Sequence, residues 1–388
     1  MKKLFFMSVL CALFTLNAFA QDAADDKINK IIRKHGLEQS KVMETAFYLT
    51  DVYGPRLTGS PMLDKATKWA QDQLGTWGLK NVHTEQWGPF GRGWELEHFE
   101  AHAVEPSYYP LIAYPKAWSP STNGTLTGEV VYFKANTLEE LAQYKGKLKG
   151  KFVLMDTVRN VKITFDAPAK RYDDPALLEM ANANKPTPRP LRNFGFGDNE
   201  FSKAMKKMLY DEKPLGTIDR SFAGDLGTVF ISGASAKEGQ ARDEGAEVLP
   251  QMTIDAEQYN RLFRLAQKGL PVKVSMNIKA KYTNPDKMEH NLIAEIPGTD
   301  LKDEVVMFGA HLDSWQSATG ATDNAAGSAV MMEVARILTE TIKESGVQPR
   351  RTLRMALWTG EEQGLFGSVG YVNQHFAEIG RTASLPCR

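Results

Sequence analysis

Apolar residues recur along this chain with two periods, and the chain changes character where the period changes. Between residues 28 and 52, Ile28, Ile31, Ile32, Val42, Ala46, Phe47 and Leu49 fall at helical spacing. Tyr53-Gly54-Pro55-Arg56-Leu57-Thr58-Gly59-Ser60-Pro61 interrupts that pattern, and a second helix is predicted from Met62 to Trp77, closed by Gly78. Residues 82–105 read as strands rich in aromatics, among them Trp87, Phe90 and Trp94. Short β-like runs follow at Gly128–Phe133 and Lys151–Met155. The lysines between them, Lys145 to Lys151, have no interleaved aromatics and read as a solvated turn, not a polyanion site. Residues 166–225 show the least periodicity and are predicted as an irregular excursion with one helix near Asn199–Tyr210. Strands are expected again at Thr228–Ile231, Val248–Ile254 and Val272–Lys279, with a helix at Ala256–Lys268.

From residue 289 onward strand and helix alternate. Asn291–Ile296, Val305–Ala310 and Thr352–Trp358 are apolar runs, and the run at 305–310 is expected to be a parallel strand covered on both faces. Helices are predicted at Ala325–Thr341 and from Gly364 to Phe376. The fold class is therefore α/β, an open doubly wound mixed sheet with a mainly β unit inserted in it. The expected division is residues 1–20 as a leader, 21–120 as the first part of the α/β domain, 121–283 as the β insert and 284–388 as its second part.

Composition narrows the function. The 388 residues carry 47 Lys+Arg against 47 Asp+Glu, a formal charge of zero, which argues against a nucleic-acid partner or an anionic membrane surface. Two cysteines cannot make a disulfide framework or a thiolate zinc site. Lys2 and Lys3, the apolar run Leu4–Leu16 and Ala18-Phe19-Ala20 have the form of a signal peptide cut after Ala20. Thirteen residues at ~1.5 Å each fall short of the ~30 Å hydrocarbon core, so no membrane span is expected after cleavage. A periplasmic or secreted bacterial protein is expected, whose mature chain keeps only Cys387.

Ligand sites in such sheets lie at the C-terminal ends of the strands. There the sequence places His311-Leu312-Asp313, then Gly320-Ala321-Thr322-Asp323-Asn324, then Thr359-Gly360-Glu361-Glu362. Singly, each is ordinary: a packing histidine, a helix N-cap, a solvated acid pair. Together they bring one imidazole and four carboxylates to one edge, a nitrogen and oxygen donor set that suits catalytic zinc, with Mn or Co as alternatives.

These motifs resemble those of the co-catalytic zinc exopeptidases, a family that includes bacterial aminopeptidases, carboxypeptidase Q and glutamate carboxypeptidase. The matching stretches are Gly309–Trp315, Gly320–Gly327 and Trp358–Ser368, with weaker similarity at Tyr53–Ser60 and Trp94–Pro106. The inserted β unit resembles a protease-associated domain. The resemblance implies two zinc ions in the complete site, with His311 on one, Asp323 bridging and Glu362 on the second. It implies Glu361 as general base and Asp313 as the acceptor for the other nitrogen of His311, and a cis peptide at Asp323-Asn324. Short peptides are the implied substrates. Arg56 and the aromatics around Trp94 are candidates for the pocket that reads the substrate terminus, with a structural role favoured. The insert is open as lid, dimer surface or substrate gate, so a homodimer stays among the options.

One departure bears on activity. The family's site needs a further Asp a little under thirty residues after the glutamate pair and a His much later, whereas no Asp follows Glu362 and Arg388 is only 26 positions on. His375 is expected to be a surface residue. With three of five ligands, a C-terminally truncated chain with weak zinc binding and little or no activity is expected. Two other readings stand beside the exopeptidase: a non-catalytic, receptor-like relative, which the intact motifs disfavour, and a single-zinc acyltransferase of glutaminyl-cyclase type, which would lack the insert.

Overall fold

A computed structural model describes residues 26–376, apart from 163, 164, 166, 168, 184–199, 225, 226, 284 and 287. The leader and Cys387 lie outside the described residues. The chain forms two compact units: one of residues up to 97 with 242–245 and 280 onward, the other of 98–241 with 246–279. Among the described residues no helix is long and apolar enough to cross a membrane.

The first unit carries a four-stranded mixed sheet of β1 (Lys80–Trp87), β2 (Glu289–Ile296), β3 (Leu301–His311) and β4 (Arg351–Trp358). Their spatial order is β1-β2-β4-β3, with β3 and β4 parallel and the other pairs antiparallel. Side chains alternate across a strand, and here both faces are used. Leu292, Ala294 and Ile296 of β2, with Met355 and Leu357 of β4, meet the helices Pro61–Trp77 (α1) and Ala326–Ser345 (α2) through Leu63, Ala70, Leu74, Ala329, Met332 and Ala335. Ile293 and Ala356, on the opposite face, pack on Tyr371 of the helix Phe366–His375 (α3). The Ser60 hydroxyl caps α1 by accepting from the Leu63 N–H at 3.3 Å, with Pro61 in the first turn and Gly78 at the stop.

Three local expectations change. The helix read over 28–52 is broken, with wide five-residue turns at Lys34–Glu38 and Tyr48–Val52 on either side of a short α-helix, Val42–Phe47. The run 305–310 is a strand, but Val305, Val306 and Met307 are 41%, 47% and 37% exposed. The reason is position: among the described strands β3 is an edge with β4 as its one neighbour, and apolar character alone does not supply a cover. The glutamate pair, expected at the strand's end, lies beyond the end of β4 at Trp358, in the turn that follows.

In the second unit an eight-stranded sheet is described, centred on Leu126–Tyr132, the fully buried Phe152–Leu154, Gly216–Arg220 and Gln251–Ile254. The helix Ala256–Gln267 starts where Asp255 accepts from the N–H groups of Glu257 and Gln258, and it buries Tyr259, Leu262 and Phe263. The excursion read as irregular contains a helix at Asp174–Ala181, capped by Asp173 with a proline in its first turn. No strand forms at 228–231, where the Phe230 N–H is taken by the Ser221 hydroxyl at 2.9 Å.

Candidate metal centre

His311 ends β3, and its carbonyl accepts a hydrogen bond from Ser328 Oγ of α2 at 2.7 Å, which ties the strand end to the helix. Its Nδ1 lies 3.1 Å from the Asp313 backbone carbonyl and 3.6 Å from the Asp313 carboxylate. The contact expected with the Asp313 carboxylate is thus made first with that residue's main chain. A carbonyl only accepts, so Nδ1 carries a proton and Nε2 is left for a ligand or a carboxylate. Nε2 faces Asp323 Oδ1 at 3.0 Å and Glu361 Oε2 at 3.6 Å.

Asp313 is fully buried. Its carboxylate accepts from Thr58 Oγ1 at 3.0 Å, from the Glu361 N–H at 3.3 Å and from the Glu362 N–H at 3.2 Å. One carboxylate therefore joins the segment 53–60 to the turn that bears the acid pair. That turn is also held from below: the Thr359 hydroxyl accepts from Trp87 Nε1 at 2.9 Å and donates to the His290 carbonyl at 2.9 Å.

Asp323 sits in the turn before α2, where the Asp323-Asn324 peptide is cis and Asn324 Oδ1 accepts from the Gly327 N–H at 3.1 Å. Its side chain is 73% exposed.

Arg56, a candidate for reading the substrate terminus, is fully buried and turned inward onto backbone carbonyls. Trp94 is also buried, so neither presents itself to a ligand. His375 is at the surface, as expected, paired with Glu85 Oε2 at 2.8 Å. The residue that the sequence motifs did not single out is Glu289, a buried carboxyl at the start of β2. Burial, with Asp64 and Asp313 nearby, pushes it up to about 8. Its signal in the sequence was only an acidic residue opening an apolar strand.

The site holds more acid than its own cations balance. Burial, then Asp323 and Asp313, pushes Glu362 up to about 8, and burial raises Glu361 as well. Burial opposes charge on His311, but Asp313, Glu361 and Asp323 outweigh it and raise the imidazole to about 9. Among the described residues no three His, Cys, Asp or Glu side chains surround a common point that could hold a metal ion, because the donors pair with one another. The donor types nonetheless fit zinc: an imidazole with Nδ1 anchored and Nε2 free of backbone, and carboxylates whose mutual repulsion a cation would relieve.

Comparison with known proteins agrees with that donor set. Residues 291–384 match the model of peptidase family M28. The chain is 28% identical over 369 residues to mouse (Mus musculus) carboxypeptidase Q, a match that covers 93% of this chain and 67% of that protein. A peptidase M28 precursor from Shewanella amazonensis superposes with a TM-score of 0.58 at 23% identity, covering 91% of this chain and 71% of the other. A zinc aminopeptidase from Bacillus subtilis superposes with a TM-score of 0.51 at 18% identity, covering 87% and 65%. The two superpositions show a shared mixed α/β fold.

Proposed function

Because residues 291–384 match the model of peptidase family M28, we propose that the protein is a zinc-dependent exopeptidase that releases terminal residues from short peptides or splits dipeptides. The activity is proposed for the whole protein, since the chain spans about two thirds of the mouse relative's length. The observation that carries the reading is the single buried carboxylate of Asp313, which ties the His311 strand end to the Glu361-Glu362 turn.

In this reading His311, Asp323 and Glu362 would hold zinc, with Asp323 as the ligand that two ions would have in common. Zinc, when bound, supplies a Lewis acid that polarises the scissile carbonyl and lowers the pKa of water. Glu361 takes the proton of the attacking water and returns it to the leaving amine. Its carboxyl is raised by burial and by neighbouring acids, which suits a group that must hold a proton and release it. Asp313 keeps the imidazole oriented and fixes the backbone of the acid pair. The second unit fits the role of a protease-associated insert, since its residues interrupt the metal-bearing unit in sequence and contribute to an eight-stranded sheet. The leader pattern of residues 1–20 supports export.

The test is hydrolysis of free, N-blocked and C-blocked peptides by the zinc-loaded protein. Release of terminal residues is expected, lost on chelation and in Glu361→Gln, with zinc content retained in that variant. Internal cleavage, or hydrolysis indifferent to chelator, would overturn the reading.

A further inference from the structure

A fully buried guanidinium is costly unless its donors are engaged, and Arg56 makes four side-chain hydrogen bonds, all to backbone carbonyls. Nε donates to the Leu312 carbonyl at 2.7 Å, Nη1 to the carbonyls of Leu49 and, at 2.8 Å, Thr319, and Nη2 to the Gly320 carbonyl at 3.1 Å. The backbone joins in: the Arg56 N–H donates to Ser314 Oγ at 3.1 Å, and the Ser314 N–H donates to the Arg56 carbonyl at 3.0 Å.

The carbonyls fall on two segments that matter. Leu312 stands between His311 and Asp313. Thr319 and Gly320 open the turn that presents Asp323, and the Ala325 N–H closes that turn onto Gly320 at 2.9 Å. Among the described residues no strand pairing links these two segments; apart from the Ser328 hydroxyl on the His311 carbonyl, their separation is set by side chains that touch both. The rigid, planar fork of Arg56 does so, and a lysine, a point charge on a flexible stem, could not span the same acceptors. The packing leaves little slack: a side chain at Gly54 would press on the Thr319 backbone, with its Cβ 2.7 Å from the Thr319 carbonyl oxygen.

We infer that Arg56 is a positioning residue that sets the separation of His311 and Asp323, and thereby the affinity of that pair for a divalent cation. The inference rests on the zinc reading above. It gives Arg56 a task other than binding substrate, which its burial forbids, and other than general packing, which would affect stability but not the metal affinity of folded protein.

The experiment titrates the whole chain with zinc alone by calorimetry, and with cobalt alone by visible absorption, in wild type and in Arg56→Lys. Both are measured at a temperature where near-ultraviolet circular dichroism shows native packing. Folded Arg56→Lys is expected to bind zinc at least tenfold more weakly and to give an altered cobalt spectrum. Equal zinc affinity and an unchanged spectrum in the two folded proteins overturn the inference while leaving the zinc reading intact. A wild-type chain that binds no zinc sinks both. If Arg56→Lys does not fold, Gly320→Ala is read in its place. There the added Cβ would lie 3.1 Å from Arg56 Nη2 and against the Ser314 side chain, displacing the turn with Arg56 still present. The same loss of zinc affinity is expected, and unchanged affinity overturns the inference.

Discussion

The candidate site is built in two layers that obey opposite rules. The lower layer, Asp313 and Arg56, is fully buried, and each side chain is held by several neutral groups: one hydroxyl and two amides on the carboxylate, four carbonyls on the guanidinium. The upper layer, His311, Asp323 and the glutamate pair, is only partly buried apart from the exposed Asp323, and its side chains face one another mainly through charge. Asp323 is 73% exposed and faces His311, while Glu361 is 34% exposed and 3.6 Å from the same imidazole. Buried polar groups that are fully satisfied make a rigid base, because leaving any of them unpaired is expensive. Donors held mainly by one another's charge can rearrange at lower cost, which a site that must accept an ion requires. The fold thus concentrates its neutral hydrogen bonds below the donors.

Substitutions can break this comparison. The largest effect is expected for Asp313→Ala, which strips the acceptor from Thr58 and from two backbone amides; urea unfolding should show a loss of about 3 kcal/mol. A loss below about 1 kcal/mol would place Asp313 outside the rigid layer. Asp323→Ala is expected to do the reverse, moving stability by no more than about 0.5 kcal/mol while zinc affinity falls at least about tenfold. If both measurements move together, the two layers are one.

Glu289 sharpens the boundary through pH. Its folded-state value, about 8, lies above the usual carboxylate range because burial disfavours the charge, so the folded protein keeps a proton that the unfolded chain releases above about pH 4.5. Stability from this group therefore falls as pH rises from about 4.5 to about 8. Glu289→Gln should raise the urea midpoint at pH 8 relative to wild type and leave the difference small at pH 5; an equal shift at both pH values would show that the carboxyl is not held protonated. The smallest effect is expected on the outer strand: Val306→Thr, on the exposed edge β3, should change stability by less than about 0.5 kcal/mol and lower self-association in light scattering.

Much of this was legible along the chain. The helix Pro61–Trp77, with its serine cap and glycine stop, follows from local chemistry, and so do the apolar strands Glu289–Ile296 and Arg351–Trp358, because periodicity and capping are properties of neighbouring residues. The motifs around His311, Asp323 and Glu361 stood out because one short stretch of sequence brings donors to consecutive strand ends. The role of Arg56 was not legible. Its acceptors are carbonyls, which every residue has, and three of them lie more than 250 positions away in the chain. Glu289 was missed for a similar reason: an acid at a strand start says nothing of its burial until Asp64 and Asp313 are seen beside it.

What the sequence determined by itself is the chemistry: which donors exist, that they are nitrogen and oxygen without sulfur, and that they cluster after apolar strands. Tertiary structure decided exposure and support. Whether an apolar strand is covered, as β4 is and β3 is not, depends on what packs beside it. Whether a charged residue meets ligand or scaffold, as Asp323 and Arg56 show, depends on contacts made across the chain. Local order fixes backbone conformation because its interactions are between near neighbours, whereas burial is a property of the whole packed unit.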